Sequence, residues 1–101
     1  MGSLNLSAYL AEADTLVSGE RQQEYGPPDK NLDDIARGWR VLLGCPVTPR
    51  QVALCMTWLK LARLSSPSIS ETVAHDSIVD GIGYLSIAGA LGPGAGRSND
   101  V

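Results

Sequence analysis

All six prolines of this 101-residue chain, at positions 27, 28, 46, 49, 67 and 93, fall between stretches whose apolar residues recur every three to four positions. Proline removes a backbone donor and clashes with the preceding turn, so it marks where a helix cannot continue. Between the breaks the three-to-four spacing is that of one helical face. The chain is therefore read as all-α: a compact four-helix domain, expected to assemble as an oligomeric helical bundle.

The first helix is expected from about Leu6 to Val17, on the stripe Leu6, Tyr9, Leu10, Ala13, Leu16 and Val17, with Gly19 ending it. The second runs from about Asn31 to Leu43 and presents Leu32, Ile35, Ala36, Trp39, Leu42 and Leu43; its early acids and later arginines match the helix dipole. Thr48-Pro-Arg-Gln51 supplies an N-cap, a first-turn proline and a capping-box glutamine for the third, Pro49 to Leu64. Apolar side chains surround nearly the whole circumference of this helix, which is expected to be central or to lie in a subunit interface. Ser68-Ile-Ser-Glu71 reads as a second capping box, opening a helix that reaches Leu91. Gly81, Gly83 and Gly89 inside it point to close approach of another backbone, or to a kink. The expected organisation is a disordered N-terminus over 1–5, one helical domain over 6–91 and a flexible Gly-rich tail over 92–101.

A domain this small buries only about 60–68% of the surface its unfolded chain exposes, so association of subunits is a natural source of further stability. No apolar run reaches the ~18 residues of a membrane span, and no basic segment followed by a hydrophobic one opens the chain. That excludes a membrane partner and favours the cytoplasm. Cys45 and Cys55 lack the paired spacing of a zinc site and are read as free, buried thiols.

The net charge of −3 conceals three blocks. Residues 1–36 carry −5, residues 37–63 carry +5 through Arg37, Arg40, Arg50, Lys60 and Arg63, and residues 64–91 carry −3. Either the blocks neutralise one another in the fold, or the middle one forms a cationic pocket for a phosphate-bearing ligand. Duplex DNA is disfavoured as a partner, because the chain is acidic overall.

Asp76, Asp80 and Tyr84 stand four apart and form one polar line on the fourth helix, while Lys60 and Arg63 share a face of the third. If these helices pack, the charges either pair internally or build a ligand or metal site, since two carboxylates one turn apart can hold magnesium. His75, the single histidine, reads as a surface or capping-region residue, and no arrangement of nucleophile, histidine and acid is visible. The loop from Arg21 to Asn31 offers Arg21 as a forked phosphate donor, Tyr25 for stacking and Gly26 for close backbone approach. The alternative is a rigid turn with Tyr25 packed on the core.

The run Gly19-Glu-Arg-Gln-Gln-Glu-Tyr-Gly-Pro-Pro-Asp-Lys-Asn31, with Ile35-Ala36, Trp39, Leu43-Gly44, Thr48-Pro49, Val52-Ala53, Lys60-Leu-Ala-Arg-Leu64 and His75-Asp-Ser-Ile-Val-Asp-Gly-Ile-Gly-Tyr84, resembles a family of small phage and prophage proteins known as a domain of unknown function. The resemblance covers about residues 7–91 and implies a phage protein in the cytoplasm of a bacterial host. The chain is more distantly similar to the all-helical nucleoside triphosphate pyrophosphohydrolases of the MazG kind, which bind magnesium and a triphosphate through carboxylates on neighbouring helices. Asp76 and Asp80 resemble the final acidic helix of that fold; its earlier Glu-x-x-Glu pair is replaced here by Glu20-x-x-x-Glu24.

The leading expectation is a phage accessory protein that binds a nucleotide or nucleotide-derived signal, sequestering a host defence signal for instance. Its ligand contacts would be Arg21, Tyr25, Gly26, Asn31, Lys60, Arg63 and Tyr84. The second is a magnesium-dependent pyrophosphohydrolase with Asp76 and Asp80 as catalytic metal ligands and the acids of the Tyr25 loop completing the site. The third is a protein-binding adaptor that inhibits a host enzyme.

Overall fold

The computed structural model describes residues 4–20 and 26–93. These form four α-helices, α1 (Leu6–Thr15), α2 (Pro28–Leu43), α3 (Pro49–Leu64) and α4 (Glu71–Leu91), with no strand among the described residues. The chain is an all-α domain. Of the expected tails over 1–5 and 92–101, residues 1–3 and 94–101 lie outside the described residues, as does the segment 21–25.

The helix starts follow from local chemistry. The Asn5 side chain accepts the Ala8 N–H at 3.2 Å and caps α1. The Thr48 hydroxyl accepts the Gln51 N–H at 3.1 Å while the Gln51 amide oxygen accepts the Thr48 N–H at 2.9 Å, completing the capping box of α3. Three details differ from the sequence reading. The N-cap of α4 is Ser70, whose hydroxyl accepts the Val73 N–H at 3.2 Å, rather than Ser68. Ser70 is the serine placed three residues before the orphan donor that needs a partner. The second helix starts at Pro28 instead of Asn31: Pro27 is its N-cap and Pro28 occupies the first turn, where a missing N–H costs nothing. The first helix does not stop at Gly19 but widens into a π-helical turn, Leu16–Glu20.

Helix α4 lies between α3 and α1, and α2 packs on the N-terminal half of α3 and the C-terminal end of α4. The core joins Leu32 and Ala36 of α2, Val47, Val52 and Ala53 around the start of α3, and Ala88 of α4, with Ile35, Trp39, Met56, Ile87 and Leu91 partly buried against them. The glycines of α4 allow close approach of side chains rather than backbone. A Cβ on Gly81 would lie 3.8 Å from the Lys60 Cβ, one on Gly83 would lie 3.6 Å from Val17 Cγ2, and one on Gly89 would face open space. On the far side of α4, His75 Nε2 lies 2.8 Å from the Glu12 carboxylate and its ring packs beside Tyr9, so this histidine ties α1 to α4.

One burial expectation is corrected. Cys45 and Cys55 are free but exposed: Cys45 lies in the connection before α3, and Cys55 stands on the outward face of α3, which no described element covers. That helix buries Pro49, Val52, Ala53 and Lys60, yet leaves Leu54, Trp58 and Leu61 in solvent. Among the described residues, no element covers this outward apolar face.

Candidate functional site

A cleft of about 290 Å³ opens between the π-helical turn after α1, the start of α2 and the middle of α4. Leu16 and Val17 form one wall, Pro28, Leu32 and Ile35 another, and Ile87 closes one end. These positions belong to the stripes that also build the core, and sequence periodicity does not distinguish a wall from a floor. Their role in a cleft was accordingly missed. Gly83, which also lines the cleft, leaves room for Val17.

Four residues singled out in the sequence meet here: Gly26, Asn31, Asp80 and Tyr84 all line the cleft. Gly26 adopts φ 79°, a left-handed conformation that a residue with a Cβ rarely takes. Asn31 sits one turn into α2, where its side chain offers an amide donor and a carbonyl acceptor. Asp80 and Tyr84, one turn apart, present a carboxylate and a phenol from α4.

Behind them, Lys60 of α3 meets Asp80 with Nζ to Oδ2 at 3.1 Å, the two side chains being only 11% and 17% exposed. The ammonium in this apolar setting needs its carboxylate, because isolated buried charges are too costly to keep. Lys60 thus reaches the site by holding Asp80. Arg63 stands exposed in the last turn of α3, away from the cleft. Arg21 and Tyr25 lie outside the described residues.

The +5 block is dispersed by the fold. Lys60 is paired with Asp80, Arg37 with Asp33 at 3.0 Å, and the Arg40 guanidinium donates to the Val47 carbonyl at 2.7 Å. No lysine or arginine lines the cleft among the described residues, whose side of the site is apolar with a polar edge.

Asp76 is exposed and lines, with Glu12, Thr15 and Asp80, a shallower depression on the α1 side of α4. Among the described residues this arrangement does not assemble a magnesium site, and Glu24, one of the loop acids expected to complete it, lies outside them. Asp80 is engaged by Lys60, Glu12 by His75, and among the described residues no three His, Cys, Asp or Glu side chains are grouped to hold an ion. Among the described lining residues there is no pairing of a nucleophile with a histidine, since the single histidine contacts Glu12 outside the cleft. No helix among the described residues is long and apolar enough to cross a membrane.

Comparison with known proteins agrees with the phage resemblance. The profile of a family described as "Domain of unknown function (DUF6378)" matches residues 8–92. The chain is similar to the Gene 55 protein of Mycobacterium phage L5, with 33% identity over 79 residues that cover 77% of this chain and 48% of that protein. It is also similar to the Gene 55 protein of Mycobacterium phage D29, with 35% identity over 75 residues covering 74% of this chain and 47% of that one. The chain therefore spans about half the length of these curated relatives. No solved structure matches it.

Proposed function

The chain belongs to the DUF6378 family and has mycobacteriophage relatives, and from that premise we propose that it is a phage accessory protein binding a nucleotide or nucleotide-derived small molecule. The observation that carries this reading is the cleft in which Gly26, Asn31, Asp80 and Tyr84 converge on apolar walls. At about 290 Å³ it stands at the lower limit of small-ligand sites. It holds a base or nucleoside more readily than a whole nucleotide.

The charge distribution points the same way. A phosphate taken into the cleft would give up its water without a lysine or arginine among the described lining residues, and desolvating an unpaired anion costs several kcal/mol. A heterocyclic base instead places its faces on Leu16, Val17, Leu32, Ile35 and Ile87 and its polar edge toward Asn31 and the α4 residues. The phosphates then remain at the mouth. Capture without turnover suits such a site, and withdrawing a host signalling nucleotide is one use of it.

The test is a thermal-shift screen against nucleosides, nucleotides and cyclic dinucleotides, each with and without magnesium. A ligand that binds only the folded state at a hundred times its Kd stabilises it by about 2.7 kcal/mol. A metal-independent shift that disappears in Asn31→Leu is the expected result, and silence across the panel defeats the reading. A pyrophosphohydrolase of the MazG kind is weighed against by the Lys60–Asp80 pair. It would reveal itself by magnesium-dependent pyrophosphate release, lost in Asp80→Asn.

A further inference from the structure

The buried and exposed sides of α3 are both apolar, and only one of them is explained by the fold. Val52, Ala53 and Lys60 are buried toward α2 and α4. On the opposite side, Leu54 is 43% exposed, Trp58 71% and Leu61 50%, and Cys55 and Ala62 are exposed between them. These positions recur at intervals of three and four and form a single outward stripe. From Gln51 to Ala62 it is about 16 Å long at 1.5 Å per residue, and it contains no charged side chain.

We infer that this stripe is a homodimer interface, with α3 of one copy packed antiparallel on α3 of a second. Two arguments select a second copy as occupant. The first is area. Each side of a standard interface buries ~800 Å², somewhat over half of it apolar, so each partner must bring about 450 Å² of apolar surface. From their fractional exposures, Leu54, Trp58, Leu61 and the adjacent, 43% exposed Leu59 supply on the order of 400 Å².

The second argument is chemical self-complementarity. Trp58 is flanked one turn away by the small side chains of Cys55 and Ala62, which leave hollows beside it. A twofold axis through the stripe seats the Trp58 ring of each copy over a small residue of the other, the knob-and-hole packing of paired helices. A nucleic acid or acidic peptide would find no cation on the stripe. A second copy brings the same uncharged apolar stripe, in equal amount and matched in length. The stripe and the cleft involve different residues, so the inference stands apart from the proposed ligand.

The test is the molar mass of the purified protein in solution, measured by light scattering on a sizing column with and without Trp58→Glu. An interface of this size has micromolar or tighter affinity, so a dimer is expected at ~100 µM protein. Because Trp58 is largely exposed, Trp58→Glu should keep the helical circular dichroism of the parent while raising the dimer dissociation constant at least about 30-fold. In a Cys45→Ser background, a short bifunctional thiol reagent should bridge Cys55 of the two copies. A monomeric parent at that concentration overturns the inference, as does a protein that gains mass only with a host protein. A dimer that survives Trp58→Glu, or that Cys55 does not bridge, also overturns it by placing the interface elsewhere.

Discussion

Replacing Lys60 with methionine isolates what the pair at the back of the cleft contributes. Methionine fills most of the lysine volume, so the change leaves the packing against Gly81 in place and removes only the charge. Asp80 then keeps a carboxylate in a setting where its side chain is 17% exposed. Breaking a buried ion pair from one side costs about 3–5 kcal/mol. Water reaches Asp80 through the cleft and Asp80 keeps an interaction besides Lys60, which together place the expected loss at the lower end, about 3 kcal/mol. For a domain of this size that lowers Tm by roughly 12–24 °C, at about 4–8 °C per kcal/mol. The double variant Lys60→Met, Asp80→Leu replaces both charges with apolar groups and should cost clearly less than the sum of the two single variants. Urea unfolding of the parent, both single variants and the double variant, at one protein concentration, gives the coupling energy directly. A Lys60→Met cost under about 1 kcal/mol, or a double variant whose cost is the sum of the singles, would refute the reasoning.

Gly89→Ala should stabilise α4 by about 0.5–1 kcal/mol, because its Cβ meets only open space and alanine is the better helix former; a rise in Tm checks it. Gly26→Ala, at φ 79°, should instead destabilise by about 1–2 kcal/mol, read in the same melt. Thr48→Ala removes the capping box of α3 and should cost about 1 kcal/mol by urea unfolding, with Thr48→Ser restoring most of it. His75→Ala removes a half-exposed tie worth under about 1 kcal/mol, so global stability should barely move. Amide exchange in residues 6–15 should nevertheless accelerate, since that contact holds α1 on α4.

The number, type and order of the helices were legible because each rests on neighbours in the sequence. Thr48 and Gln51 cap a helix whatever lies beyond it, and the prolines end helices through their own backbone. The ends that were misplaced, at Pro28 and Ser70, involve a choice between adjacent residues with equal local claims. The candidate site was legible only in part. Asp80 and Tyr84 share a helical face by spacing, but their meeting with Gly26 and Asn31 depends on how α4 lies against the start of α2. Likewise the run of positive charge from Arg37 to Arg63 was plain in the sequence, whereas its dispersal was not. Arg37 turns to Asp33 on its own helix, Arg40 to the carbonyl of Val47, and Lys60 crosses to Asp80 twenty residues away. Even the all-apolar girth of α3 left two readings open, centre or interface. Caps, breaks and periodicity act over a few residues, so the local structure can be read along the chain. Which side of each stripe becomes core, cleft wall or exposed face depends on which helix arrives opposite it, and that is a property of the folded molecule.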